Sequence, residues 1–242
     1  MKQQTIAKVT AVFALAALVA AAAVAVRLPG GEEVLGGYAT SLRGRTRAQA
    51  YNARRAARAL DGVRVATGAT FSFNARVGPW NAAAGYRRAP VSYDGELVRA
   101  YGGGVCQTST TLYNAALLAG LEVVERHRHI RPPAYVPPGR DAAVAMPSVD
   151  LRLRNPYPEA VRLEARTVGD SLVVAVRGRG PRRQAAVYTE IQTVESPPVV
   201  RGVDATNPGQ PGFTALTYRS SGGRRGRVIA QDAYPPVSRL AP

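Results

Sequence analysis

The sequence predicts an α+β fold in which a few helices pack on a mainly antiparallel sheet. Two segments, Thr46–Leu60 and Gly102–Gly120, repeat small or apolar residues at helical spacing. Short valine- and leucine-rich runs alternate with turn pairs such as Asp94-Gly95 and Gly169-Asp170, which is typical of antiparallel strands. The chain is therefore divided into an N-terminal apolar segment (1–27), a linker (28–44), a main domain (45–180) and a small β-rich extension (181–242).

The N-terminal segment is predicted to form a membrane helix. Residues Val9–Val26 are apolar except for Thr10, and as a helix they would span about 27 Å, close to the hydrocarbon thickness of a bilayer. We expect an uncleaved anchor with Lys2 and Lys8 on the cytoplasmic side. A signal peptide cleaved near Ala20–Ala23 is the alternative. Either interpretation places the rest of the chain outside the cytoplasm.

Local patterns predict the remaining elements in order. Leu28–Gly37 shows no periodicity and is predicted to be an irregular connector. Thr46 is a helix N-cap before an alanine stripe that runs to Leu60. Strands are predicted at Val63–Ala66, Thr70–Phe73, Val91–Tyr93, Leu97–Tyr101, Leu121–Arg126, Asp150–Arg154, Val161–Ala165 and Ser171–Val176, and in the extension at Ala185–Val194, Phe213–Arg219 and Val228–Gln231.

The second helix begins at a glycine-rich turn that carries the only cysteine of the chain. Cys106 follows Gly102, Gly103 and Gly104, and one face of its helix is expected to be buried. Free N–H groups and the positive end of the helix dipole would favour a thiolate there. The backbone N–H groups of these glycines and of Gln107 would form an oxyanion hole. A lone cysteine in an exported chain is a candidate nucleophile, and the alternative is a small buried side chain.

Two histidines follow the helix, and either could serve as the base for a cysteine nucleophile. His127 and His129 alternate with Arg128, so on an extended segment both would lie on one face. A structural histidine is one alternative and a metal site is another, although two histidines without a further ligand indicate metal only weakly. No metal and no cofactor is therefore expected. Asp141 could orient the imidazole, or it could simply form the turn at Gly139-Arg140-Asp141.

Aromatic and polar side chains near these residues are candidates for substrate binding. A cluster around Phe73 could wall a groove, or it could form aromatic core with polar turn residues. The candidate substrate-binding residues are Phe73, Asn74, Trp80, Tyr86, Ser109, Thr110 and Tyr135.

Four motifs occur in one order along the chain: GATFSFNARVGPWNAAAGYRRAPV (Gly68–Val91), GGGVCQTSTTLYNAALLAGLEVVERHRH (Gly102–His129), YVPPGRDAAV (Tyr135–Val144) and DLRLRNPYPEAVRLEA (Asp150–Ala165). Together they resemble the VanW family, which is named after an accessory protein of a vancomycin-resistance cluster. The resemblance implies an extracytoplasmic role in the cell envelope. It also favours His129 over His127 as the base, because His129 occupies the family's histidine position.

The charge and the resemblance together suggest what the protein binds. The net charge is +16 at pH 7, and Lys2 and Lys8 are the only lysines among 32 basic residues. A basic surface favours anionic lipid headgroups or wall polymers such as peptidoglycan. Nucleic acid is not expected, because no known binding module occurs and the domain is predicted to lie outside the cell.

These observations favour a cysteine-dependent acyltransferase, similar to an L,D-transpeptidase, or a hydrolase acting on peptidoglycan stem peptides. A non-catalytic accessory protein that binds peptidoglycan or glycopeptide is the main alternative, and in that case Cys106 would only contribute packing. A purely structural envelope scaffold is the third possibility.

Overall fold

The computed structural model describes residues 31–93, 96–180, 185–202, 208–221 and 226–241. It contains helices α1 (Arg47–Leu60), α2 (Phe73–Val77) and α3 (Val105–Ala119). The strands are β1 (Glu33–Ser41), β2 (Arg64–Val65), β3 (Thr70–Ser72), β4 (Arg88–Tyr93), β5 (Glu96–Tyr101), β6 (Glu122–Glu125), β7 (Arg152–Arg154), β8 (Val161–Val168), β9 (Ser171–Gly178), β10 (Ala185–Glu195), β11 (Val199–Arg201), β12 (Gly212–Ser221), β13 (Arg227–Tyr234) and β14 (Arg239–Ala241).

The strands form small sheets, most of them antiparallel, so the predicted α+β class is confirmed. The main sheet has the order β1-β9-β8-β2, and a second sheet has the order β3-β7-β6. Strands β4 and β5 form a hairpin, whose predicted turn at 94–95 lies outside the described residues. In the extension, β10, β12 and β13 form a meander, whereas β11 and β14 pair in parallel.

The predicted membrane helix (within 1–27) lies outside the described residues. In the part of the chain that the structure does describe, no helix is both long enough and apolar enough to cross a bilayer.

Helix α1 forms as its capping signals predict. The Thr46 side chain accepts a hydrogen bond from the Gln49 amide (3.2 Å), and the Gln49 side chain accepts one from the Thr46 amide (3.0 Å). This reciprocal capping box satisfies two amide groups that the helix itself leaves free. The alanine stripe is buried, and Ala53, Ala56 and Leu60 are completely inaccessible to solvent.

Helix α3 lies at the centre of the molecule and is buried on almost all sides. The prediction of a single buried face was therefore wrong: among its 15 residues, only Cys106 and Leu118 are not buried. The reason is that α3 packs against β1, β9 and α1 at once. Gly120 ends the helix in the left-handed region, with φ of 80°, as its sequence predicts.

Strand β1 occupies part of the segment that was predicted to be an irregular linker. It pairs antiparallel with β9 and has a bulge between Val34 and Gly36. Gly36 contacts α3 so closely that an added Cβ would lie 2.2 Å from the backbone nitrogen of Ala119. The glycines that allow this approach also interrupt the alternating pattern, so the sequence alone did not indicate a strand.

Candidate active site

Cys106 is the second residue of α3, next to a tight turn. Gly102 and Gly104 have φ of 86° and 105°, a backbone conformation that side-chain-bearing residues rarely adopt. The Cys106 side chain is half-buried, and its sulfur lies 3.4 Å from the Val144 carbonyl oxygen. The turn therefore brings the thiol to the N-terminal end of a buried helix, opposite the 141–144 segment.

Local pairing of two segments brings His129 to Asp141. His127 and Ala143 form an antiparallel bridge, in which the Ala143 amide donates to the His127 carbonyl (2.8 Å). The next pair faces each other two residues after His127 and two residues before Ala143. There the His129 amide donates to Asp141 Oδ2 (2.7 Å), and His129 Nδ1 lies 2.6 Å from the same oxygen. The aspartate thus holds both the backbone and the ring of the histidine.

The His129 side chain lies close enough to Cys106 for its hydrogen bonding and charge to act on the thiol. Burial opposes ionisation of the thiol, but the hydrogen bond and charge of His129 outweigh this effect and lower the pKa of Cys106. Burial also disfavours the imidazolium, yet hydrogen bonds to Asp141 and Cys106 raise the pKa of His129 to about 10. The triad of Cys106, His129 and Asp141 therefore stabilises a thiolate–imidazolium pair, the reactive state of a cysteine nucleophile.

Asp141 is completely buried and has partners on both carboxylate oxygens. Oδ1 accepts hydrogen bonds from Arg126 Nη2 (3.1 Å) and from Tyr234 Oη (2.9 Å), while Oδ2 binds His129. Burial would raise the pKa of Asp141, but the hydrogen bond and charge of His129 and the charge of Arg126 lower it. A carboxylate held in this way fixes the orientation of the imidazole and stabilises its charged form.

Sequence reasoning missed Arg126, Asp232 and Tyr234. Arg126 also donates to Asp232 Oδ1 (2.5 Å), and Tyr234 Oη accepts from the Gly139 amide (3.0 Å). Both Asp232 and Tyr234 belong to β13, in the extension that was predicted only as an appendage. No local motif marks them, because Tyr234 lies 93 positions from its partner Asp141 in the sequence.

The predicted oxyanion donors need a correction at Gln107. Its backbone amide donates to the Gly104 carbonyl (3.2 Å), and the Val105 amide donates to that of Gly102 (2.9 Å). The Gln107 side chain is buried and donates to the Ser41 carbonyl (2.8 Å). The Gly103 carbonyl accepts from Asn52 Nδ2 (2.9 Å), so the second glycine anchors the turn to α1. The predicted donor Gly102 is also occupied, because its amide donates to the Arg87 carbonyl (3.3 Å). Among the described residues, the amides of Gly103, Gly104 and Cys106 donate to no acceptor, and they are the remaining oxyanion candidates.

Three of the predicted substrate-binding residues lie in the core instead. Phe73 is completely buried and Tyr86 is 5% exposed, with its hydroxyl donating to the Val77 carbonyl (3.2 Å). Asn74 is 6% exposed and donates to the carbonyls of Ala145 and Val149. Phe73 and Asn74 lie at the start of α2, directly after β3, and point into the interior, where the hydroxyl of Tyr86 bonds the last residue of the same helix.

Ser109 and Thr110 are also buried and do not face solvent. The Ser109 hydroxyl donates to the Ala142 carbonyl (2.7 Å), and the Ala142 amide donates to Thr110 Oγ1 (2.9 Å). They anchor the segment that carries Asp141 to α3, next to Cys106. Trp80 and Tyr135 are half-buried, and Trp80 packs against Gly102, so these two remain candidates for the wall of a substrate site.

The two histidines have different surroundings. The His127 side chain is 44% exposed and its Nε2 lies 2.9 Å from Glu125 Oε1, whereas the His129 side chain is 17% exposed. Within the described ranges, no group of three or more His, Cys, Asp or Glu side chains could hold a metal ion.

Comparison with known proteins places the triad in a shared region. The model of the family described as VanW like protein matches residues 48–177, more than half of the chain. The uncharacterized protein YoaR of Bacillus subtilis (strain 168) is 39% identical over 142 residues, which cover 59% of this chain and 47% of that protein. The vancomycin B-type resistance protein VanW of Enterococcus faecalis (strain ATCC 700802 / V583) is 30% identical over 110 residues, or 43% of this chain and 40% of that protein.

The chain thus aligns with less than half the length of either relative. No solved structure matches it significantly. The match of residues 48–177 includes Cys106, His129 and Asp141, and by this match the chain belongs to the VanW family.

Proposed function

We propose that this protein is an extracytoplasmic enzyme of the cell envelope that uses Cys106 for acyl transfer or hydrolysis on peptidoglycan stem peptides. The observation that carries the proposal is the triad, in which the buried Asp141 holds the His129 ring (2.6 Å) and His129 lowers the pKa of Cys106. Membership of the VanW family and the name of the enterococcal relative support a cell-wall substrate.

The chemistry proceeds through a thioester. The Cys106 thiolate attacks a peptide carbonyl, and the amides of Gly104 and Cys106 would donate to the resulting oxyanion. When the tetrahedral intermediate collapses, the C–N bond breaks and the His129 imidazolium gives its proton to the departing amine. An amine of a neighbouring peptide, or water, then loses a proton to His129 and attacks the thioester carbonyl. The C–S bond breaks, which restores the Cys106 thiolate and the His129 imidazolium. The first acceptor yields transpeptidation and the second yields hydrolysis.

Location and partners are part of the same proposal. The apolar run Val9–Val26 would hold the chain in the membrane with the catalytic domain outside. The net charge of +16 would concentrate the domain at anionic wall polymers.

The test is to incubate the full-length protein with muropeptides that carry complete stem peptides. We expect intact-mass spectrometry to show a hydroxylamine-sensitive adduct on the wild-type protein and none on the Cys106→Ala variant. Hydrolysed or cross-linked products should appear in the wild type only. Product formation that persists in Cys106→Ala, or the absence of both adduct and product in the wild type, would refute the enzyme proposal. Equal binding of muropeptides by both proteins without turnover would establish the non-catalytic alternative instead.

A further inference from the structure

Arg45 lies in a short segment that contacts the residues on both sides of Cys106. It sits between β1 and α1, where its amide donates to the Leu42 carbonyl (3.1 Å). Just before it, the Ser41 carbonyl accepts from Gln107 Nε2 (2.8 Å). Just after it, Gln49 packs so tightly on Gly104 that an added Cβ there would lie 2.3 Å from the Gln49 carbonyl oxygen. The Arg45 segment therefore borders the turn that presents the thiol.

The Arg45 side chain lies over the ring of Tyr135, with its guanidinium carbon 4.9 Å from the centre of the ring. Tyr135 belongs to the segment that joins His129 to Asp141. Burial, and after it the charge of Cys106, raises the pKa of Tyr135, so this ring is neutral. Arg45 thus lies over a neutral ring in the segment that carries two members of the triad.

Arg45 has no anionic partner in the described part of the chain. None of the ion pairs between described residues includes it. Its Nε is buried and has no hydrogen-bond acceptor among those residues. By contrast, the buried Arg126 is paired with two carboxylates. A buried donor without an acceptor is unfavourable, and a guanidinium has the planar fork that binds a carboxylate.

We infer that Arg45, supported by Tyr135, binds the terminal carboxylate of the peptide that Cys106 attacks. This inference rests on the proposed function and makes it more specific. A carboxylate at this subsite restricts the attacked bond to the one that precedes a C-terminal residue. The departing amine is then a single amino acid, and internal peptide bonds are poor substrates.

The test compares two thiol reagents that differ only in charge, N-iodoacetyl-D-alanine and its C-terminal amide. Both alkylate Cys106, and the ratio of the two rates reports how well the site attracts a carboxylate. We expect Arg45→Ala to reduce the rate with the carboxylate about tenfold, the effect of losing a charge-assisted hydrogen bond, and to leave the rate with the amide nearly unchanged. Arg45→Lys should recover part of the loss, because it keeps the charge but not the fork.

Arg43→Ala is the matched control, since it removes the same charge from the same segment. The Arg43 side chain is 79% exposed and pairs with Asp170 (3.5 Å), so the rate ratio should stay at the wild-type value. A ratio that is unchanged in Arg45→Ala, or that falls equally in Arg43→Ala, would overturn the inference. Slow reaction of the wild type with both reagents would count against the activated thiol of the proposed function, while the rate ratio would still decide the role of Arg45.

Discussion

Replacing Tyr234 with Phe tests whether the C-terminal extension supports the triad. The change removes a hydroxyl that donates to Asp141 Oδ1 (2.9 Å) and accepts from the Gly139 amide (3.0 Å), on a side chain that is 3% exposed. A hydrogen bond to a charged group contributes about 1.5–3 kcal/mol, and a buried amide left without an acceptor costs about 1–3 kcal/mol. Because the two costs share one hydroxyl and are not additive, we expect the free energy of unfolding to fall by about 3 kcal/mol.

Urea unfolding at pH 7 measures this loss, and Tyr188→Phe is the matched control. The Tyr188 hydroxyl belongs to the same extension, and its one hydrogen bond among the described residues is a long one (3.4 Å) from the Gly226 amide, so its removal should cost less than about 1 kcal/mol. The alkylation rate of Cys106 at pH 7 should fall in Tyr234→Phe but not in Tyr188→Phe, because Tyr234 donates a hydrogen bond to Asp141 and Tyr188 does not contact it. If both variants unfold at the same urea concentration as the wild type and are alkylated at the same rate as the wild type, the extension has no part in the site.

Two further predictions concern the thiol and the location of the chain. Because the hydrogen bond and charge of His129 lower the pKa of Cys106, the alkylation rate should remain high when the pH falls below the range in which an ordinary thiol ionises. His129→Ala should raise the pKa of Cys106, so that the alkylation rate at low pH falls about tenfold for each unit by which this pKa rises. His127→Ala should leave the pH dependence of the rate unchanged. Equal shifts in both variants would show that the base was assigned wrongly. The full chain should remain with salt-washed membranes in fractionation of the native cells, and a fully released chain that begins near residues 22–26 would instead indicate a cleaved signal peptide.

Local chemistry in the sequence was sufficient for the two long helices, α1 and α3, and for choosing the candidate site residues, whereas the short helix α2 was not predicted. Thr46 caps α1 as predicted, and Gly120 ends α3 where predicted. His129 and Asp141 lie 12 positions apart, close enough for one antiparallel pairing to join them. Helix ends and short-range pairings depend on backbone preferences and on the spacing of nearby residues, and both can be read from one sequence.

Which residues surround the triad depends on how distant segments pack. Ser109 and Thr110 were predicted to line a substrate site but lie in the interior, because α3 packs against β1, β9 and α1 at once. Phe73, at the start of α2, is buried as well. The same packing brings Arg126 between Asp141 and Asp232, the latter 106 positions away. The ends of α1 and α3 and the choice of candidate site residues could be predicted from the sequence, since they follow from local conformation and spacing. Burial and long-range hydrogen bonds depend on how separate sheets pack, and no local pattern specifies that packing.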